Sequence, residues 1–347
     1  MHAERTWTGL VYGHEREERV MDQRQRRIWL IGQLLREYPE YRDAGEADLP
    51  IPHDHDEQRQ LLRALQNVRP PAPVSERFLH VQDEYLGGML AQRAITDADD
   101  VPPAETLRSG TTLAIWQGDI TALRCDAIVN AANSGLTGCY APNHHCIDNA
   151  IHTAAGVQLR LACERIMERQ GHPEPVGQAK ITPGFNLPAR YVLHTVGPMI
   201  PTGDPTPDEQ EQLADCYRSC LRLAAEHGLE TVAFCSISTG EFHFPAELAA
   251  RIAVRTVHEF LSRQSAQQQS AQRQPVQPRS LATAAPTAGT GTRNTGIRNT
   301  GIRNTGTADT NTYDTGIHPA NTIRKVIFDV FSDRDRQIYE RVFADHD

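Results

Sequence analysis

Between Thr111 and Phe331 the sequence returns five times to a short run rich in Val, Ile, Phe and Thr: TTLAIWQGDI, DAIVNAA, YVLHTVG, TVAFCSIS and KVIFDVF. Segments with helical spacing separate them, at about 147–168, at 208–227 ahead of Gly228, and at 245–262 behind Pro245. Glycine just past a helix end and proline at its first turn are the residues those positions favour. Strands that alternate with helices build a layered α/β domain. Because the runs are apolar at nearly every residue, their sheet should be covered on both faces.

Flanking segments set the domain organisation. Residues 23–38 and the stretch from Asp56, DEQRQLLRALQNVR, repeat an apolar spacing that fits helices, and after the prolines at 70–73 Ser75 can cap a third helix carrying Phe78, Leu79, Val81 and Leu86. Together they predict a helical extension over 23–100, a cap packed on the main domain for stability, preceded by a charged, flexible 1–22. Between 264 and 320 the composition collapses to Gln, Ser, Pro, Thr, Gly and Asn, and the pentad RNTGI occurs at 293–297 and again at 298–302. Such a segment cannot bury enough apolar surface to offset its ordering entropy, so it reads as a disordered insertion dividing the main domain into 105–263 and 321–347. Replacing 264–320 by a short Gly-Ser linker is therefore expected to leave the melting curve unchanged; a cooperative loss of fold would show that the repeats are structural.

Charge and cysteine usage exclude several classes. With 35 Lys and Arg against 44 Asp and Glu, the net charge of −9 disfavours a nucleic-acid partner. No stretch approaches the length of a membrane span, and the first twenty residues lack the apolar core of a signal peptide. Seven cysteines, an odd number, argue against a disulfide framework and for a reducing, cytoplasmic setting. Cys125, Cys163, Cys216, Cys220 and Cys235 fall in apolar patterns as small core residues, and His152 and His194 lie within a helix and a strand as packed side chains.

Chemistry concentrates between Trp116 and Arg160. Cys139, His144, His145 and Cys146 fall within eight residues around Pro142, at metal-ligand spacing, and immediately precede an amphipathic helix. Asp119 ends the first apolar run, and Asn130 and Asn133 end the second. Strand ends are where α/β sheets bind ligands, although Asp119 can equally cap a turn and the asparagines can equally serve as turn residues. Farther on, Ser236-Ile237-Ser238-Thr239-Gly240-Glu241-Phe242 leaves a strand and enters a helix, so its backbone N–H groups can cradle a diphosphate; the plain alternative is an ordinary connection with an exposed aromatic.

The runs GDIT and DAIVNAAN, with the SISTGEF loop, resemble the macrodomain family, whose members bind ADP-ribose and in part cleave it from proteins. GCYAPNHHCIDNAIHTAAGVQLR is similar to the zinc-containing branch found in microbial protein-ADP-ribose hydrolases, with Tyr140 where that branch favours Phe. The resemblance takes in the helices at 23–91 and the C-terminal strand and helix, and leaves out 1–22 and the insertion. It implies a three-layer α/β/α sandwich with a mixed sheet, and zinc held by Cys139, His144 and Cys146 with a fourth position open for catalysis. His145, at a variable position, would face solvent. ADP-ribose would be held by Asp119 and Ile120 at adenine, by Cys146, Ile147, Asp148 and Asn149 as a first phosphate loop, and by Ser238, Thr239, Gly240 and Glu241 as a second. Phe242 would lie against a ribose and Asn133 at the distal ribose, with Asn133, Asp148 and Asn149 as the catalytic candidates. The implied substrate is a mono-ADP-ribosylated protein, with an acidic-residue ester as the preferred linkage. A non-catalytic ADP-ribose reader with a structural zinc is the alternative.

Overall fold

The computed structural model describes residues 21–273 and 322–345. Most of the segments read from sequence as the flexible terminus and the insertion lie outside the described residues.

Three helices come first: α1 (Gln23–Leu35), α2 (His55–Val68) and α3 (Glu76–Leu90). Each is capped by a side-chain oxygen, from Asp22 in a capping box with Gln25, from Asp54, and from Ser75 as its position predicts. Their apolar faces bury Leu30, Ile31, Leu34, Leu62, Phe78, Val81 and Tyr85 in a core of their own, which Val157 of the main domain joins.

The main domain follows with β1 (Glu105–Thr106), β2 (Thr112–Gln117), β3 (Ala127–Ala131), α4 (Ile147–Ala155), α5 (Val157–Gln170), β4 (Ala179–Pro183) and β5 (Tyr191–Thr195). Then come α6 (Pro207–Glu226), β6 (Thr231–Phe234), α7 (Ala246–Arg273), β7 (Lys325–Val330) and α8 (Asp333–Ala344). The seven strands lie in the order β1-β2-β7-β6-β3-β5-β4, parallel from β2 through β5 and antiparallel at both edges. This is the mixed sheet with flanking helices that the sequence led us to expect. Every residue of β6 and β7 is buried, as continuous apolar runs require. β7 pairs with both β2 and β6, so the segment after the low-complexity stretch supplies a central strand of the sheet.

Several boundaries differ from the sequence reading. The helix expected over 147–168 is two helices, broken where Gly156 takes φ +91°. A Cβ there would lie 2.5 Å from the Gln82 amide nitrogen, and Gln82 accepts the Val157 N–H at 3.0 Å, which starts α5 with a cap from the helical extension. α7 continues to Arg273, ten residues past the point where composition alone placed the end of ordered chain, because Gln, Ala and Arg favour a helix without supplying apolar residues. β4 escapes a search for apolar runs because it is a partly exposed edge strand.

Candidate active site

A cleft of about 650 Å³ opens at the carboxyl ends of the central strands. That volume lies in the range of small-molecule sites, and the location is where parallel sheets bind ligands. Gly118, Asp119, Ile120, Asp329 and Phe331, at or just after the ends of β2 and β7, line it together with Asn133, Cys139, His144, Cys146 and Asp148 from the loop and helix that follow β3. Ser238, Thr239, Gly240, Glu241 and Phe242 also line it, as does His145 with an exposed side chain.

Asp119 fulfils its local alternative as well as facing the cleft. Its Oδ1 accepts the Thr121 N–H at 2.9 Å, capping a single 3-10 turn over Ile120–Ala122, while Arg93 donates to Oδ2 at 2.6 Å. The side chain remains 52% exposed and keeps acceptor capacity toward the cleft.

Within the loop 236–242, Ser238 sits at φ +65°, an unfavourable conformation for a residue with a Cβ. Its buried Oγ has no partner. The close approach of Gly197 leaves no room for a side chain there, since a Cβ would lie 2.0 Å from that oxygen. Above Gly240 the space is open.

On the loop after β3, Cys139, His144 and Cys146 bring one sulfur, one ring nitrogen and a second sulfur within 4.8 Å of one another. Cys139 Sγ is 3.5 Å from His144 Nδ1, and His144 Nε2 is 3.4 Å from a Glu241 carboxylate oxygen, a contact that joins the phosphate-type loop to the cysteine loop. Cys146 is the N-cap of α4, its sulfur accepting the Asn149 N–H at 3.4 Å. Two sulfurs and an imidazole on a half-buried surface form a donor set suited to zinc, and a helix N-terminus favours the negative charge a coordinating thiolate carries.

Asp148, on the first turn of α4, is buried; it accepts Asn130 Nδ2 at 2.8 Å and Asn133 Nδ2 at 3.4 Å. Burial pushes its carboxyl up to about 6, against the lowering by Asn130 and Arg160. Asn133 also donates to the Gly138 carbonyl at 3.0 Å and accepts the Gly135 N–H at 2.9 Å, so it braces the start of the cysteine loop from within. Asn149 does not line the cleft. Its amide donates to the Ala141 carbonyl and its oxygen accepts from Arg63, so its side chain serves the loop and is not free to orient a water in the cleft.

A second grouping, His152, Cys163 and His194, lies fully buried beneath Asp148. Asn130 and Thr182 engage the two ring nitrogens of His194 at 3.2 and 2.9 Å, and burial drives that imidazole down to about 3. Burial likewise raises the Cys163 thiol, whose sulfur lies 3.7 Å from His194 Nε2, while both ring nitrogens of His152 lack a hydrogen-bond partner.

Asp329, Phe331 and Arg63 line the cleft and carried no signal that sequence reasoning used. Phe331 is 84% exposed and offers a flat apolar face beside Asp119. Asp329 is buried with Oδ1 unpartnered, and burial, reinforced by Asp119, pushes its carboxyl from the usual 3.8 up to about 8. A raised folded value means that this group's stabilising share is complete below pH 3.8 and is lost as pH climbs to about 8. Asp329→Asn should accordingly be more stable than wild type near pH ~9 by on the order of a few kcal/mol and melt at a higher temperature there, with the gap closing toward pH ~5. Parallel thermal melts across that range check it, and a gap independent of pH would refute the account.

The fold and cleft are those of a macrodomain. Residues 129–253 match the family model described as Macro domain, and the chain belongs to the macrodomain family. A protein-ADP-ribose hydrolase of Treponema medium is 54% identical over 246 residues, spanning 71% of this chain and 92% of its own length. One from Staphylococcus aureus (strain MSSA476) is 50% identical over 227 residues, spanning 65% of this chain and 84% of its own. Among solved structures, the Oceanobacillus iheyensis macrodomain with ADP aligns at TM-score 0.50 and 30% identity over 71% of this chain and 97% of that one. A Trypanosoma brucei macrodomain in complex with ADP aligns at TM-score 0.51 and 23% identity over 80% of this chain and 94% of that one, a likeness of fold alone. No helix among the described residues is long and apolar enough to cross a membrane.

Proposed function

We propose that this protein hydrolyses the bond joining mono-ADP-ribose to a modified protein side chain, with zinc held by Cys139, His144 and Cys146. The observation that carries the reading is a single cleft lined by Asp119 and Ile120, by the loop from Ser238 to Phe242 and by a Cys-His-Cys triad. The names of the relatives at 50% and 54% identity support the hydrolase class.

In this reading Asp119 accepts from the adenine amino group, and Ile120 and Phe331 border the base. The loop from Ser238 to Phe242 takes the diphosphate through backbone N–H groups, which suits a cleft whose Asp119 and Glu241 carboxylates repel an anion. Phe242 packs on the proximal ribose. Asn133 meets the distal ribose. Zinc, when bound, supplies Lewis acidity and a fixed template at the scissile end. Asp148, held by Asn130 and Asn133, is placed to orient the attacking water or take its proton.

Asp119→Ala should weaken ADP-ribose binding by about 1–3 kcal/mol, the usual size of a charge-assisted hydrogen bond lost with its partner left unpaired. Calorimetry on the folded variant checks this, and unchanged affinity would remove Asp119 from the adenine site. The activity itself is tested by incubating the purified protein with defined Asp-, Glu-, Ser- and Arg-linked ADP-ribosylated substrates while metal content is measured in parallel. Release from the acidic-residue esters is expected. Tight ADP-ribose binding with no turnover on any linkage would establish the alternative, a reader with a structural zinc.

A further inference from the structure

Most of the side-chain hydrogen bonds to the backbone of the cysteine loop come from other elements. Arg160 of α5 donates through Nε to the Thr137 carbonyl at 2.6 Å and through Nη2 to the Cys139 carbonyl at 3.5 Å. The Ala141 carbonyl accepts from Asn149 of α4 at 3.1 Å. Asn143, at φ +55°, gives its N–H to Asn67 Oδ1 at 3.0 Å, and the His144 carbonyl accepts from Arg63 Nη2 at 2.8 Å. Backbone groups at 137, 139, 141, 143 and 144 are thus each tied to a side chain outside the loop.

Two of those ties originate in α2, more than seventy residues away in sequence. Asn67 is 2% exposed and is itself fixed by donating to Thr153 Oγ1 at 3.2 Å. Arg63 reaches across to Asn149 Oδ1 with Nε at 3.1 Å and Nη2 at 2.8 Å, a fork that locks the side chain whose amide holds Ala141. The anchoring is reciprocal, because Arg160 Nη1 donates to the carbonyls of Gln66, Asn67 and Arg69 at the end of α2. Packing alone would need apolar contacts between the extension and the main domain. The structure adds a polar lattice aimed at one loop.

Resting on the zinc reading above, we propose that Arg63 and Asn67 are positioning residues of the metal centre. They set the backbone around His144, and through Asn149 the turn between Cys139 and Cys146, so that the three donor atoms converge before a metal arrives. The helical extension is then part of the active centre, and the expectation that it serves only as a stabilising cap understates it. A loop that must be ordered at the moment of binding costs affinity, and outer contacts that pre-order ligands are typically worth about 10–100-fold in metal affinity or activity.

The test uses the full chain. Zinc affinity is read by competition with a chromophoric chelator, ADP-ribose affinity by calorimetry, and the exchange rate of the Asn143 amide by hydrogen exchange on metal-free protein. Arg63→Ala and Asn67→Ala should each lose about 10–100-fold in zinc affinity with kcat falling, and Asn67→Ala, which lies outside the cleft lining, should hold both KM and the ADP-ribose dissociation constant within about twofold. The Asn143 amide should exchange faster in Asn67→Ala. Arg63→Lys, which keeps the charge and loses the fork, should fall between Arg63→Ala and wild type and guards against a variant that does not fold. Arg26→Ala, which breaks an ion pair with Glu84 inside the extension, should leave zinc affinity unchanged. Wild-type protein that takes up no zinc would overturn the metal reading and this role with it. Wild type that binds zinc while Arg63→Ala and Asn67→Ala bind it as tightly would overturn the positioning role alone.

Discussion

Replacing His144 or Cys146 by alanine is expected to lower turnover of an ADP-ribosylated protein on the order of 10³-fold, the scale on which a preorganised electrostatic stabiliser acts. Affinity for free ADP-ribose should change far less. The physical basis is that Gly118, Asp119, Ile120 and Phe331 line the cleft from the ends of β2 and β7, whereas His144 and Cys146 sit with Cys139 on the separate loop after β3. In the proposed reading, contacts to adenine and diphosphate come from groups that the substitution leaves in place. Single-turnover kinetics and calorimetry on the same folded, metal-free variants read both halves of the expectation. Wild-type turnover in protein stripped of zinc would eliminate the catalytic role. Unfolding on metal removal would instead mark the site as structural.

A comparable loss is expected from Asp148→Ala, with kcat lower by about 10²–10³-fold, in the range of general acid–base catalysis. Asp148 is almost fully buried, yet it borders the cleft next to Cys146 and receives donors from Asn130 and Asn133. That arrangement fixes the direction of its oxygens, which a water-orienting group needs and a simple helix-start charge does not. Asp148→Asn should be nearly as inactive, since an amide cannot take the proton, while ADP-ribose still binds. A kcat within about threefold of wild type in either variant would reduce Asp148 to a structural role.

Much of this site was legible before any coordinates. Cys139, His144 and Cys146 announce themselves because a metal needs soft donors close together, and a single loop can place them by local spacing alone. The same holds for Ser238 to Phe242, a strand-to-helix connection that lines the cleft. Local propensity likewise carried the N-cap at Ser75 and the alternation of strands and helices, although it missed the break at Gly156. That break depends on Gln82, a residue of another element that fills the space a Cβ would occupy and caps the next helix.

What the amino-acid sequence determined by itself was the alternation of strands and helices and the closeness of the candidate ligands on one loop, because these depend on neighbours a few residues apart. Tertiary structure alone decided the environment of each group. Asp329 and Phe331 sit two residues apart at the end of one strand, yet one is buried with a carboxyl raised by burial and the other is 84% exposed over the cleft. Asn149 looked like a partner of Asp148 and turned out to be a strut, since its side chain faces Ala141 and Arg63. Arg63 and Asn67 read as two polar positions on an amphipathic helix until α2 docked against α4 and delivered them to a loop some eighty residues away. Hydrogen bonds between distant segments have no periodicity for a sequence to display, and they exist only once packing has brought the two surfaces together.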